Sequence, residues 1–265
     1  MKFAVNYSLK FETLYKQGLI DADLLKCPEW KGVVNASLRL KPVYVHFEIG
    51  VGNGGVSKLD FDLIKRMLAA TATPHLNCHL VGNSALNPEK KADQNKQVQV
   101  WINEMHILQE QVPGYRLVAE NLPCSPDVPA SQIGSIPELI TEAIMAVDAD
   151  LLLDLSHARI TAANLGLDFK EQIAKLPVER LAELHITGIR PYRGYLTDHF
   201  ELNPTDWEAA KWAKQQISCG NWREPKIVAF EYGGVGDVFG WRTEEGVLQE
   251  QVPQLYALFC DGITA

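Results

Sequence analysis

Imidazole and carboxylate side chains recur at the ends of short apolar runs in this chain. A carboxylate that closes an apolar run is costly to bury unless a cation, a hydrogen-bond network or open water compensates it. Neutral imidazoles and carboxylates together are ligands for zinc, manganese and iron. The side chains placed in this way are His46, His79, Glu120, Asp154, His157, His185, His199 and Glu231.

The size of this set is informative, because one histidine at a strand end is more often hydrogen-bonded than metal-bound. The whole set exceeds what one ion can use, and it indicates two or three divalent ions that share carboxylates. The other two histidines are interpreted as structural. His75 begins an apolar run rather than ending one, and His106 falls inside a helical pattern.

Eight apolar, β-branched-rich runs, with helical patterns between them, position these residues. Their average spacing of about 33 residues is typical of a (β/α)8 barrel, in which the C-terminal ends of all strands meet at one rim. The sequence therefore predicts an α/β fold, a single (β/α)8 TIM barrel over residues 1–265. The predicted strands are 3–6, 33–38, 43–49, 75–80, 116–119, 151–155, 181–186 and 227–230.

One part of the pattern is irregular. Residues 33–49 leave no room for a full helix, so strands two and three are expected to form a hairpin or to leave the barrel irregular there. The predicted helices are 11–20, 59–70, 91–111, 136–147, 169–176, 207–218 and 247–259.

Several motifs resemble those of known metal enzymes. The order of the histidines and carboxylates is similar to that of xylose-isomerase-like TIM barrels, which include endonuclease IV with its trinuclear zinc site. The wording of residues 119–121 (AEN), 151–157 (LLLDLSH), 163–166 (ANLG) and 183–188 (ELHITG) looks like that of the multinuclear non-haem iron-dependent oxidases, formerly a domain-of-unknown-function group. The resemblance extends from about residue 43 to about residue 236.

This resemblance implies two or three divalent ions, with iron first and zinc or manganese next, held by the same histidines and carboxylates. It also implies dioxygen activation and oxidative rearrangement of cysteines in ribosomally made peptides, often with a partner protein that delivers the peptide. The family usually has Asp-x-His after the strand that carries the fourth histidine, whereas Asp198 and His199 are adjacent here. Adjacent residues of a strand face opposite sides, so both bind only if this stretch is a loop. Otherwise Asp198 replaces the missing acid or one ligand is lost. Position 157 is a histidine, as in the zinc enzymes, where the oxidases commonly have asparagine.

The segment between His185 and His199 is a candidate for substrate binding. It contains Arg190, Tyr192 and Arg193, and guanidinium groups bind carboxylates and phosphates in a bidentate manner. A solvated loop without a function explains the same residues equally well.

Three other functions remain open. Zinc or manganese in the same site would support hydrolysis of phosphoesters. A sugar isomerase normally has a lysine near the metal, and no lysine occupies a predicted strand end. A barrel that binds a small-molecule or protein ligand without turnover is the non-enzymatic alternative.

Charge and cysteine usage narrow the partners and the compartment. The chain has 25 Lys and Arg against 33 Asp and Glu, a net charge of −8, which disfavours nucleic acid. Its five cysteines are scattered and indicate reduced thiols, hence a cytoplasmic protein. Charged residues interrupt the first 20 residues, and no apolar run has the length of a membrane span, so neither signal peptide nor membrane anchor is expected.

Overall fold

Parallel strands and helices follow one another along the chain in the computed structural model, which describes residues 1–260. Residues 261–265, which the prediction of a single domain over 1–265 includes, lie outside the described part. The strands are β1 Lys2–Asn6, β2 Leu24–Pro28, β3 Val43–His46, β4 Gly50–Val51, β5 His75–Leu80, β6 Arg116–Glu120, β7 Asp150–Asp154, β8 Leu181–Ile186, β9 Gly188–Tyr192, β10 Tyr195–Phe200 and β11 Ile227–Phe230. The helices are α1 Leu9–Lys16, α2 Lys31–Ser37, α3 Phe61–Ala70, α4 Lys91–Gln111, α5 Pro129–Gly134, α6 Pro137–Ala146, α7 Leu155–Leu165, α8 Phe169–Ile173, α9 Pro204–Ser218, α10 Gly236–Phe239 and α11 Glu245–Phe259.

Nine strands form one parallel sheet that curls into a barrel. Their order is β3-β2-β1-β11-β8-β7-β6-β5-β4, and the last strand of the barrel, β11, pairs in parallel with the first, β1. Because β3 and β4 are two halves of one interrupted stretch, the nine strands occupy eight barrel positions. The predicted (β/α)8 barrel is therefore confirmed, and β9 and β10 form a separate antiparallel hairpin above it.

Side chains close the barrel where β3 and β5 face each other. Thr73 Oγ1 accepts a hydrogen bond from the backbone N–H of Val45 at 2.8 Å. Asn77 accepts from the N–H of Phe47 at 2.8 Å and donates to its carbonyl at 2.9 Å. Beyond this point β4 takes over and pairs with β5 directly. These side chains substitute for a backbone ladder, so the edge strands are not left unpaired.

Two expectations for the second barrel unit are wrong. Residues 33–38, predicted as a strand, lie mostly in helix α2, and the second strand is β2, upstream of it. The expected hairpin is absent from this part of the structure, because β2 and β3 pair in parallel across the short α2. The apolar runs did not reveal strand β2 because its sequence is Leu-Leu-Lys-Cys-Pro, in which a lysine and a proline interrupt the apolar residues. The other alternative, a barrel that is irregular at strands two and three, is confirmed, because the third predicted strand is interrupted between β3 and β4.

The inside of the barrel is apolar below and polar above. Its lower part packs two clusters of buried side chains, Ala4, Leu24, Tyr44, Ile227 and Ala229 on one side and Val118, Leu152 and Ala182 on the other. A larger apolar core fills the space between the barrel and the helices. The apolar floor therefore supports a layer of buried charged and imidazole side chains at the C-terminal rim, where barrel enzymes carry their active sites.

Candidate metal centre

The polar layer consists of side chains from strand ends and from the segments that follow them. Most of them are buried, and His79, Asp198 and His199 are partly exposed. The structure brings together His46 from β3, His79 from β5, Glu120 from β6, Asp154 from β7, His185 from β8, Glu231 just after β11, His157 from α7, and Asp198 and His199 from β10.

Three of these residues form a first cluster. The Nε2 atoms of His46 and His79 lie 3.1 Å apart, and Glu120 Oε2 lies 3.1 Å from His79 Nε2 and 3.4 Å from His46 Nε2. Ligand atoms around a divalent ion at about 2.1 Å are themselves roughly 3.0–3.4 Å apart. The first cluster, His46, His79 and Glu120, therefore has the spacing and the chemistry that suit one cation.

A second cluster lies deeper in the barrel and comprises Asp154, His185 and Glu231. His185 Nδ1 is 3.2 Å from Glu231 Oε1 and 3.8 Å from Asp154 Oδ2. Both His185 Nδ1 and Asp154 Oδ2 are buried without a hydrogen-bond partner. A buried polar atom without a partner is destabilising. Because these atoms face two carboxylates, a divalent cation fits the second cluster as well.

Glu183, which lies beneath the rim, determines the tautomer of His185. The Nε2 of His185 donates to Glu183 Oε1 at 2.6 Å, which leaves the lone pair of Nδ1 directed at the second cluster. Glu183 also accepts from the hydroxyl of Tyr44 at 2.9 Å and pairs with His75. Burial raises the pKa of Glu183, but His185 and His75 outweigh burial and hold that pKa far below its usual range. His75 thus lies beneath the rim in a structural network.

Glu120 joins the two clusters. Its Oε2 belongs to the first cluster, while its Oε1 lies 3.4 Å from His157 Nδ1 and 3.9 Å from His185 Nδ1. Burial opposes ionisation of Glu120, but His79, His185 and His157 more than compensate and lower its pKa to about 2. A carboxylate whose two oxygens face two groups of donor atoms is suited to bridge two ions.

The Asp-x-x-His spacing of residues 154–157 has a local explanation. Asp154 ends β7 and caps α7, because its Oδ1 accepts from the N–H of His157 at 2.7 Å. Asn121 fixes the same strand end by two hydrogen bonds with the backbone of Asp154. His157 therefore sits on the first helical turn, beside Asp154 and above Glu120.

His157 and Asp198 form a third group at the rim. His157 Nδ1 donates to the carbonyl of Asn121 at 2.8 Å, and its Nε2 faces Asp198 Oδ2 at 2.9 Å. Burial disfavours the charged imidazole, but Asp154, Asp198 and Glu120 outweigh burial and raise the pKa of His157 to about 10. Without metal, a proton thus occupies the space between His157 and Asp198.

A β-bulge allows the adjacent residues Asp198 and His199 to face the same side. The pairing of β9 and β10 shifts after Thr197, and His199 has a left-handed backbone with φ of 58°. This break in the alternation turns both side chains towards the rim. His199 packs against Phe239 with ring centroids 4.3 Å apart, and its buried Nδ1 has no hydrogen-bond partner. Burial lowers its pKa to about 4.

The three candidate substrate residues lie on the hairpin and outside these clusters. Arg190 pairs with Glu201 and stacks on the Phe200 ring, 4.3 Å from its centroid. Arg193, at the hairpin turn, stacks on Tyr192 at 5.2 Å. Their role in substrate binding stays a prediction.

Two cationic residues lie at the site although the sequence did not predict them there. Lys26, from the unpredicted β2, is buried, and its ammonium contacts Glu231 Oε1. This position removes the argument that no lysine lies near the candidate ligands. Arg242 is also buried; it donates to the carbonyl of Asp198 at 2.8 Å and packs against Phe200 at 4.6 Å. Lys26 interrupts an otherwise apolar run, and Arg242 belongs to no recognisable pattern.

A cavity connects the rim to the surface. Its volume is about 90 Å³, and its walls combine charged, imidazole and aromatic groups. They include Lys26, Trp30, His46, Glu48, His199 and Phe239. Trp30 is half exposed and lies at the outer side, so the cavity leads from an aromatic edge to candidate metal ligands.

Solved structures with a similar fold define the class of barrel. The structure aligns with a xylose isomerase domain containing protein from Salmonella typhimurium LT2 with a TM-score of 0.61, at 13% identity over 97% of each chain. It aligns with a D-psicose 3-epimerase with a TM-score of 0.57, at 14% identity, over 99% of this chain and 100% of that one. The fold is thus a xylose-isomerase-like TIM barrel.

Sequence comparison gives the family. The family described as RiPP precursor modification enzyme MbnB/TglH/ChrH matches residues 37–213, and the chain belongs to this family. A UPF0276 protein of Acaryochloris marina is 25% identical over 186 residues, which is 66% of each chain. A UPF0276 protein of Anaeromyxobacter sp. is 31% identical over 101 residues, 37% of this chain and 35% of the relative. The chain therefore spans just under two thirds of the length of the first relative and about a third of the second.

Within residues 1–260, no helix combines the length and the apolar character that crossing a bilayer requires.

Proposed function

We propose that this protein is a multinuclear iron-dependent oxidase that acts on a cysteine of a peptide or on a small substrate. The observation that carries the proposal is the position of Glu120, whose two oxygens face the first and the second cluster separately. Family membership supports the peptide substrate, because the family is described as modifying RiPP precursors. A partner protein that delivers the peptide, and a cytoplasmic location, are part of the same proposal.

The donor groups divide among the ions as follows. The first cluster would hold one ion, and Glu120 together with the second cluster would hold another. His157 and Asp198, with His199 beside them, would hold a third. Iron bound in such a centre supplies one-electron chemistry and activation of dioxygen.

The protein residues around the ions orient the ligands and shape access. Glu183 and Asn121 fix the orientations of His185 and His157 by bonding one ring nitrogen of each, Nε2 of His185 and Nδ1 of His157. The apolar floor keeps water out from below. The cavity beside His46 and His199 gives a substrate its route to the rim, and its aromatic edge at Trp30 suits an apolar or peptide chain.

Metal analysis of protein purified anaerobically from iron-replete cells tests this proposal. We expect about two to three irons per chain, and a loss of at least one of them in Glu120→Gln. Exposed Glu110 provides the matched control, since Glu110→Gln should retain all the iron. Less than one iron per chain with stoichiometric zinc would defeat the iron oxidase and favour the phosphoester hydrolase.

One observation favours a second candidate, a sugar isomerase. Lys26 places an ammonium beside Glu231, in the kind of position that an isomerase needs near its metal. The two functions differ in their need for oxygen. An isomerase turns over its sugar anaerobically, whereas the oxidase consumes dioxygen only when its substrate is present.

A further inference from the structure

Lys26 is the one buried lysine among residues 1–260. Its side chain is 7% exposed and that of its partner Glu231 is 4% exposed. Two such charges are removed from water together and depend on each other for compensation. The contact is therefore a built feature of the barrel interior rather than a surface ion pair.

The oxygen that Lys26 contacts is the one that faces the second cluster. Glu231 Oε1 accepts from the ammonium and also lies 3.2 Å from His185 Nδ1. A cation that binds through this oxygen beside His185 must therefore share it with the ammonium or displace the ammonium. Like charges repel strongly at such short range in a buried site.

The first cluster has no such competitor. Within residues 1–260, the groups that lie within 4 Å of the Glu120 carboxylate as ion-pair partners are all imidazoles. The two clusters thus differ in two respects that bear on affinity: the second has two carboxylates where the first has one, and a lysine ammonium occupies one of its ligand oxygens.

The cavity beside Lys26 gives its side chain space to move into. Lys26 lines the cavity of about 90 Å³, and Glu48 also belongs to the lining. An ammonium that leaves Glu231 can therefore move into this cavity, where Glu48 offers a second carboxylate, and there it adds a positive charge to the space through which a substrate reaches the rim.

We propose that Lys26 stands in for a metal ion at Glu231 in the metal-free protein, so that the second cluster loads its ion more weakly than the first cluster does. This inference rests on the proposed function, because it assumes that both clusters bind metal. Its consequence is an ordered loading, in which the ion at Asp154, His185 and Glu231 enters after the first and moves Lys26 towards the cavity.

Metal affinities measured with zinc test the order. Zinc-loaded protein is titrated with a chelator of known affinity for zinc. Starting from the loaded protein means that the zinc affinities of a variant can be measured even if that variant folds only with metal bound. The wild type should release zinc in at least two steps of different affinity. In Lys26→Met the weakest step should become at least tenfold tighter, while the tightest step stays within twofold.

Two further variants separate charge from packing. Lys26→Arg keeps a cation at Glu231 and should retain the weak step. Lys10→Met removes an exposed lysine that pairs with Glu245 at 3.2 Å and should change nothing. A Lys26→Met protein whose affinities are unchanged, or weaker at any step, would overturn the role of Lys26. A wild type that binds no zinc and no iron would instead remove the proposed function, and this inference with it.

Discussion

Glu183 Oε1 lies 2.6 Å from Nε2 of His185, on the side of the imidazole that faces away from the candidate metal centre. Both residues belong to β8, two positions apart, so both side chains point into the barrel with Glu183 one layer lower. The carboxylate can only accept, and therefore Nε2 carries the proton and Nδ1 offers its lone pair to the second cluster. Glu183, below the rim, thus determines which nitrogen His185 presents to a metal ion.

Glu183→Gln should weaken metal binding without removing a ligand. An amide can present either oxygen or nitrogen to His185, so the tautomer is no longer fixed. We expect the affinity of the second cluster to fall by about 10–100-fold, measured by chelator competition. Exposed Glu179 gives the control variant, Glu179→Gln, which should bind as the wild type does. Unchanged affinity in Glu183→Gln would show that His185 is oriented by other contacts.

Metal uptake should release a proton from His157. The negative charges around this imidazole raise its pKa from 6.5 to about 10, so at pH 8 the metal-free ring is protonated and must lose that proton to become a ligand. We expect His157→Gln to release about one proton fewer per chain than the wild type. Calorimetric titration with zinc at pH 8, in two buffers of different ionisation enthalpy, gives both numbers. Equal proton release in the two proteins would contradict ligation by His157.

One added methyl group should separate the two strands of the hairpin. A Cβ on Gly188 would lie 1.8 Å from the carbonyl oxygen of Glu201, so Gly188→Ala must push β10 away from β9. Since β10 carries Asp198, we expect one metal ion fewer per chain and a loss of roughly 1–3 kcal/mol of stability. Gly246→Ala, where a Cβ meets nothing within 4 Å, is the control. Full metal content in Gly188→Ala would exclude a third ion held by the hairpin.

The side chains that close the barrel should contribute measurably to its stability. Thr73→Val keeps the shape of the residue but removes the acceptor for the N–H of Val45, a buried donor. We expect a loss of about 1–3 kcal/mol in the free energy of unfolding, determined from urea titrations. Thr13→Val on the exposed face of α1 provides the comparison and should change stability far less. Equal stabilities would indicate that Val45 finds another acceptor.

The shared rim of the barrel strands explains how the sequence could predict most of the site. Because the barrel places every strand's C-terminal end at one rim, His79, Glu120 and Asp154 could be assigned to one place although 75 residues separate the first from the last. Those apolar strands are buried on both faces and therefore read as continuous runs. Seven of the eight barrel positions, all but β2, coincide with a predicted run.

The residues that escaped prediction depend on contacts distant in sequence. Lys26 is accommodated in β2 only because Glu231, 205 residues later, compensates its charge, and no local pattern reports such a pair. The left-handed backbone of His199 likewise follows from a bulge in the hairpin and from packing against Phe239. Local periodicity gives the elements, whereas such tertiary compensation decides which polar side chains an element can carry.

Anomalous diffraction tests the central claim most directly. Crystals of protein purified anaerobically from iron-replete cells are measured on both sides of the iron and zinc absorption edges. We expect at least two anomalous peaks at the iron edge, one among His46, His79 and Glu120 and another among Glu120, Asp154, His185 and Glu231, so that Glu120 lies between them. A single peak, or no peak within reach of the Glu120 carboxylate, would contradict a multinuclear centre.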